Sequence, residues 1–192
     1  MQENTIELFY PTNQMAWRNW LEENHQSKQA VWVVFYRQSS EKPSITWSNA
    51  VDEALCFGWI DSKKIKIDHE TSHQYFSKRK PKSTWSKVNK VKIQQLMEAD
   101  KMAEAGLQII EIAKENGSWT LLDEVEALII PDDLARELEK YSSARINFEN
   151  HSKTTKKMLL QWIVLAKTIT TREKRISEIV ECCEKGVKPK GF

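Results

Sequence analysis

TWSNAVDEALCFGWIDSKKIKI, residues 46–67, changes its period halfway along. Up to Phe57 the apolar residues Ala50, Val51, Ala54 and Leu55 recur at the three- and four-residue spacing of one helix face. Thr46 stands before them as an N-cap whose hydroxyl can take an amide donor that the first turn leaves unpaired. Gly58 then supplies the left-handed conformation that ends a helix. Beyond it the order alternates, Ile65 and Ile67 against Lys64 and Lys66, and predicts a strand over 59–67. The polar turn 68–72 returns the chain into a partner strand at about 73–77.

Upstream, AVWVVFYR (residues 30–37) is β-branched and aromatic throughout and reads as a strand buried on both faces, closed off by Pro43. Asn13 caps an earlier helix running to about His25, with Ala16, Trp17, Trp20 and Leu21 inward. Downstream every signal is helical. Ser86 opens a helix carrying Val88, Val91, Leu96 and Met97, and further helices are expected at 102–116, 131–141, 152–167 and 171–185. The last stops at Gly186, ahead of Lys188, Pro189 and Lys190. Leu159, Trp162, Ile163 and Ala166 form one stripe in which Trp162 is the expected anchor. The fold class that follows is α+β: a small antiparallel sheet backed by helices in the N-terminal half, and an all-helical C-terminal half with no strand past residue 100. The expected organisation is a single domain over 1–192, in which residues 1–97 form an α+β portion and residues 98–192 a helical one.

The 192 residues, 40% apolar and 29% charged, suit one globular fold that needs neither disulfide nor metal. Most of the eight tryptophans read as core. Residues 1–10 lack a basic segment followed by an apolar stretch, and no apolar run reaches the roughly 18 residues of a membrane span, so a cytoplasmic protein is expected. Cys56, Cys182 and Cys183 make no paired framework and are read as reduced thiols, Cys56 as a small buried hydrophobe.

Chemical motifs are few. His69 and His73 lie on a predicted hairpin with no third ligand, no glycine loop could cradle a phosphate, and no nucleophile elbow occurs. No cofactor and no metal are expected. Net charge is +2 but segregated, +8 over residues 63–92 and −9 over 93–139. Residues 77–92 hold seven positive charges and no acid. Lys78, Arg79, Lys80 and Lys82 sit on a proline-stiffened connection flanked by Tyr75, Phe76 and Trp85, next to a helix start at Ser86. Charge, amide donors and an aromatic face together suit a phosphate or carboxylate, and Lys78, Arg79, Lys80, Lys82, Ser83, Trp85, Ser86 and Lys87 are the candidate anion-binding residues.

The strings ALCFGWIDS (54–62) and KPKSTWS (80–86) with Asn89 resemble motifs of the YdeI/OmpD-associated family, also labelled bacteriocin-protection proteins. The likeness continues through residues 102–107, Trp119, Trp162-Ile163, Ala166-Lys167, Thr171-Arg172 and Arg175-Ile176, and residues 131–190 resemble the C-terminal region of that family. The resemblance implies a protective role and a periplasmic location, with no defined reaction; the lack of an export pattern argues instead for the cytoplasm. The expected function is binding of an anionic partner, such as RNA, a nucleotide or a phosphorylated small molecule. Two alternatives are an enzyme with Asp61 as acid or base, and an interaction module or homo-oligomer whose acidic and basic faces mate.

Overall fold

A computed structural model describes residues 6–187 and Pro189. The expected tail residues Lys188 and Lys190 lie outside the described residues. The elements run β1 (Leu8–Phe9), α1 (Gln14–Asn24), β2 (Ala30–Tyr36), α2 (Trp47–Cys56), β3 (Trp59–Lys66), β4 (Thr71–Lys78), α3 (Lys87–Glu98), α4 (Glu104–Glu115), α5 (Asp123–Glu126), α6 (Asp132–Glu139), α7 (Ser142–Asn150), α8 (Lys153–Val164) and α9 (Ile169–Glu184). The fold is α+β with a helical C-terminal half, and among the described residues no strand occurs past 100. None of the described helices is long and apolar enough to cross a membrane.

The chain forms two compact units. One comprises the residues up to Ser83 with Val88–Trp119, the other Thr84–Lys87 with the chain from Thr120 onward. α4, which the periodicity alone assigns to the helical portion, thus belongs with the sheet.

In the first unit the sheet order is β1-β2-β4-β3. β4 pairs antiparallel with both β2 and β3, while β1 joins β2 in parallel and makes the sheet mixed rather than purely antiparallel. Two residues carry no periodicity to read, so β1 was invisible in the sequence. The register places Val31, Val33, Phe35, Phe76, Gln74 and Trp59 on one face. There Phe76 meets Trp17 of α1, and Trp59 meets Trp20 edge to face. On the opposite face Val34 is buried while Trp32, Tyr36 and Tyr75 are half-buried, so β2 is covered fully on one side and in part on the other. Of the eight tryptophans, Trp17, Trp20, Trp59 and Trp85 are buried; the remaining four are half-buried or, like Trp47, exposed.

Local rules act where the sequence placed them. Asn13 accepts from Ala16 N at 2.9 Å and Thr46 from Asn49 N at 3.2 Å. Gly58 takes φ +71°, which only glycine adopts without strain. α4 packs on the end of α2 through Gly106, where a Cβ would stand 2.2 Å from the Cys56 carbonyl oxygen.

The second unit is helical around Leu134, Leu138, Phe148, Leu159, Leu160, Ile163, Ile176 and Ile179. Trp162 packs half-buried against this core, with the Arg175 guanidinium over its ring at 5.2 Å, while Leu159 and Ile163 of the same stripe are fully enclosed. α5 and α7 were not foreseen: the first is one turn long, and the second mixes polar positions with an exposed Ile146. α9 begins at Ile169, capped by Thr168, ahead of the expected Thr171.

Candidate functional site

Between the first unit's helix-covered face and the N-terminus of α2 lies a pocket of about 470 Å3, within the range of small-ligand sites. Its wall is the connection that follows β2. Ser44 Oγ accepts from Tyr36 N at 3.1 Å, Tyr10 donates its hydroxyl to the Pro43 carbonyl, and Ser40 Oγ accepts from Lys42 N at 3.2 Å, so this loop is tied at several points rather than free. Lys42 lies with its ammonium 4.7 Å from the centre of the Tyr36 ring. Thr46 then starts α2, whose first amides have no acceptor inside the helix and turn a positive dipole end to the pocket.

The floor is made by β3 and β4. Gln74, only 4% exposed, donates its amide to Asp61 Oδ2 at 3.1 Å and to Ser62 O at 3.0 Å. Asp61 Oδ2 also accepts from Trp47 Nε1 at 3.0 Å. A bulge between Asp61 and Lys64 inserts an extra residue, so the two share a face although they stand three apart. Plain alternation would have put Asp61 with Ile65 on the other side. Asp61 is thereby an orienting group, holding Trp47 and Gln74 in one network beside the pocket.

The lining carries Arg37, Lys42 and Lys64, and no carboxylate. Among the described residues none of these three cations forms an ion pair. Three unneutralised cations, five hydroxyls and a helix N-terminus round one pocket form an environment complementary to an anion, and the 51% exposed Trp47 offers a ring at its edge. The single charge of Asp61 offsets only a fraction of this field.

The residues singled out in the sequence fare differently. Their segment divides, Lys78 to Ser83 in the first unit and Trp85 to Lys87 in the second. Lys78 Nζ is engaged by the Gln26 carbonyl at 2.7 Å. Arg79 is 5% exposed, and burial pushes its guanidinium down to about 10 against the opposing pull of Asp61. Lys80 and Lys82 are exposed, and Ser83 N closes a turn onto Lys80 O at 2.9 Å. Trp85, expected to offer its face to a ring, is 1% exposed and has no open face. The amide at the start of α3, expected to meet a ligand beside half-buried Ser86, instead serves Glu126, whose carboxyl is held below the usual carboxylate range chiefly by the Lys157 ammonium and to a lesser degree by the Lys87 backbone N–H.

Sequence reasoning missed Arg37, Lys42, Lys64, Trp47 and Gln74 as a group. The usable signal was modest: a basic, serine-containing loop running from a strand into a capped helix. Burial first, then neighbouring charge, raises the buried Cys56 and Cys183 thiols to about 11, which disfavours their thiolate forms. Among the described residues, no three His, Cys, Asp or Glu side chains converge as metal ligands.

A family model described as a domain of unknown function (DUF8412) matches residues 9–109, and one described as Bacteriocin-protection, YdeI or OmpD-Associated matches residues 127–186. The strings at 54–62 and 80–86, which carried the resemblance to the latter family, fall within the first match. No curated protein and no solved structure matches the chain.

Proposed function

Given that the chain belongs to the DUF8412 family, whose domain of unknown function spans residues 9–109 here, we propose that the first unit binds a small phosphorylated anion in the pocket at the N-terminus of α2. The observation that carries this reading is the set Arg37, Lys42 and Lys64, unpaired with any carboxylate among the described residues and gathered about amide donors. A planar guanidinium and two ammoniums supply charge-assisted hydrogen bonds to phosphate oxygens, roughly twice as strong as neutral ones. Trp47 supplies a face for a ring, which favours a nucleotide over a bare phosphate.

The test is calorimetric titration with inorganic pyrophosphate and a panel of nucleotides. Arg37→Ala and Lys64→Ala should each weaken pyrophosphate binding about tenfold or more, as loss of a hydrogen bond between charged groups does. Trp47→Phe, which keeps a ring but loses the bond to Asp61, should change nucleotide affinity less than Trp47→Ala. The exposed Lys80 and Lys82 form the comparison arm. If Lys80→Ala with Lys82→Ala abolishes binding while Arg37→Ala does not, the site is the basic segment; if wild type binds none of these anions, the reading fails.

A further inference from the structure

The sheet face turned away from α1 and α2 carries a second arrangement, independent of the pocket. Trp32 on β2 and Tyr75 on β4 are direct cross-strand partners, with ring centroids 5.0 Å apart and planes at 75°. Neither is closed off; both are half-buried. Lys63, displaced at the β3 bulge, lays its ammonium over both rings, 5.3 Å from Trp32 and 5.8 Å from Tyr75. Leu8 and Ile65, at 56% and 41% exposure, flank the pair on the same face.

A lysine on an edge strand commonly serves to block edge-to-edge pairing. That role asks only for a charge at the edge, and Lys64 and Lys66 already supply it. Lys63 instead sits over two aromatic faces, where a cation, two π-systems and an apolar rim meet on an open surface. By the register, the positions sharing this face include Ile60, His73, Thr71 and Ser77, and none is a carboxylate. An exposed aromatic pair, its rings inclined at 75°, beside a lysine matches a polyanion with planar groups: a base stacks on an open ring face while a phosphate meets Lys63. It fits an amphipathic helix poorly, because such a helix needs a groove.

We propose that this face binds single-stranded nucleic acid, with bases stacked on Trp32 and Tyr75 and the phosphate backbone running along Lys63 and the β3 edge. The experiment is fluorescence anisotropy of a labelled oligouridine of about 12 nucleotides, within the usual site sizes of stacking platforms, over a series of salt concentrations. Wild type should bind, and more weakly as salt rises. Tyr75→Leu and Trp32→Leu keep apolar bulk and remove the π-face, and each should weaken binding about five- to hundredfold with little change in salt slope. Lys63→Gln, an exposed position that tests the idea should an aromatic variant misfold, should flatten the slope of log affinity against log salt by about 0.7. The proposal is overturned if wild type does not bind at low salt. It is equally overturned if the folded variants bind like wild type, if a duplex of the same length competes as well as the single strand, or if sedimentation shows that the substitutions break a self-association instead. Pyrophosphate binding at the α2 pocket is read separately, so either reading can fail alone.

Discussion

The two units bury different chemistry. Enclosed in the first, beside its aromatic core, are Glu53, Gln74, Arg79 and Ser118; in the second, Thr155 is the buried polar residue among those described, within a mostly aliphatic core. Burying a polar group is unfavourable unless it is hydrogen-bonded. The first unit meets that demand with specific pairs: Glu53 accepts from Arg18 at 2.9 Å, and Gln74 from within the floor of the pocket holds Asp61 and the Ser62 carbonyl. Such pairs fix side-chain directions more than they add stability. The second unit, with few such commitments, is held by packing. The first unit thus combines an aromatic core with several enclosed polar groups, whereas the second is chiefly a packed aliphatic core.

The strongest test of that division is Leu159→Ala. Leu159 is fully enclosed in the second unit, and its truncation should cost about 2–5 kcal/mol, read from urea unfolding. Anion binding by the folded variant should be unchanged; a loss of binding without loss of structure would break the comparison. Gln74→Leu is the counterpart. It keeps volume but strips Ser62 O and Asp61 of a donor, so it should cost about 1–3 kcal/mol while weakening pyrophosphate binding several-fold, because the bulge that aims Lys64 loses its anchor.

The smallest expected effect concerns the second unit's best-formed ion pair. Arg172 reaches Asp133 through Nε at 2.6 Å and Nη2 at 2.9 Å, and these hydrogen bonds hold the Asp133 carboxyl below its ordinary range. A carboxyl lowered by folding stabilises at pH values above its unfolded value, and the contribution is lost as pH falls through the folded one. Both side chains are about a third exposed, so Asp133→Asn should remove only about 0.5–1 kcal/mol at neutral pH. The gap between variant and wild type should close as the pH drops below about 4, measured by thermal melts.

What the sequence settled by itself is what neighbouring residues settle among themselves. Asn13 and Thr46 cap helices because their side chains reach amides three residues on, and Gly58 ends α2 because no other residue takes its backbone angle without strain. The alternation at 64–67 and the helical spacing beyond 86 likewise carry their period within a few residues. Tertiary structure decided the rest. Arg37, Lys42, Trp47, Lys64 and Gln74 meet only because the sheet pairs strands distant in sequence. One inserted residue at the β3 bulge sends Asp61 to the face of Lys64 and leaves Lys63 over Trp32 and Tyr75. Trp85 and the start of α3 carry the opposite lesson: a charged, aromatic string reads as an open site until folding encloses the ring and gives the Lys87 amide to Glu126. Local conformational preference is written in short-range order, whereas exposure and convergence depend on which distant segments close over a residue.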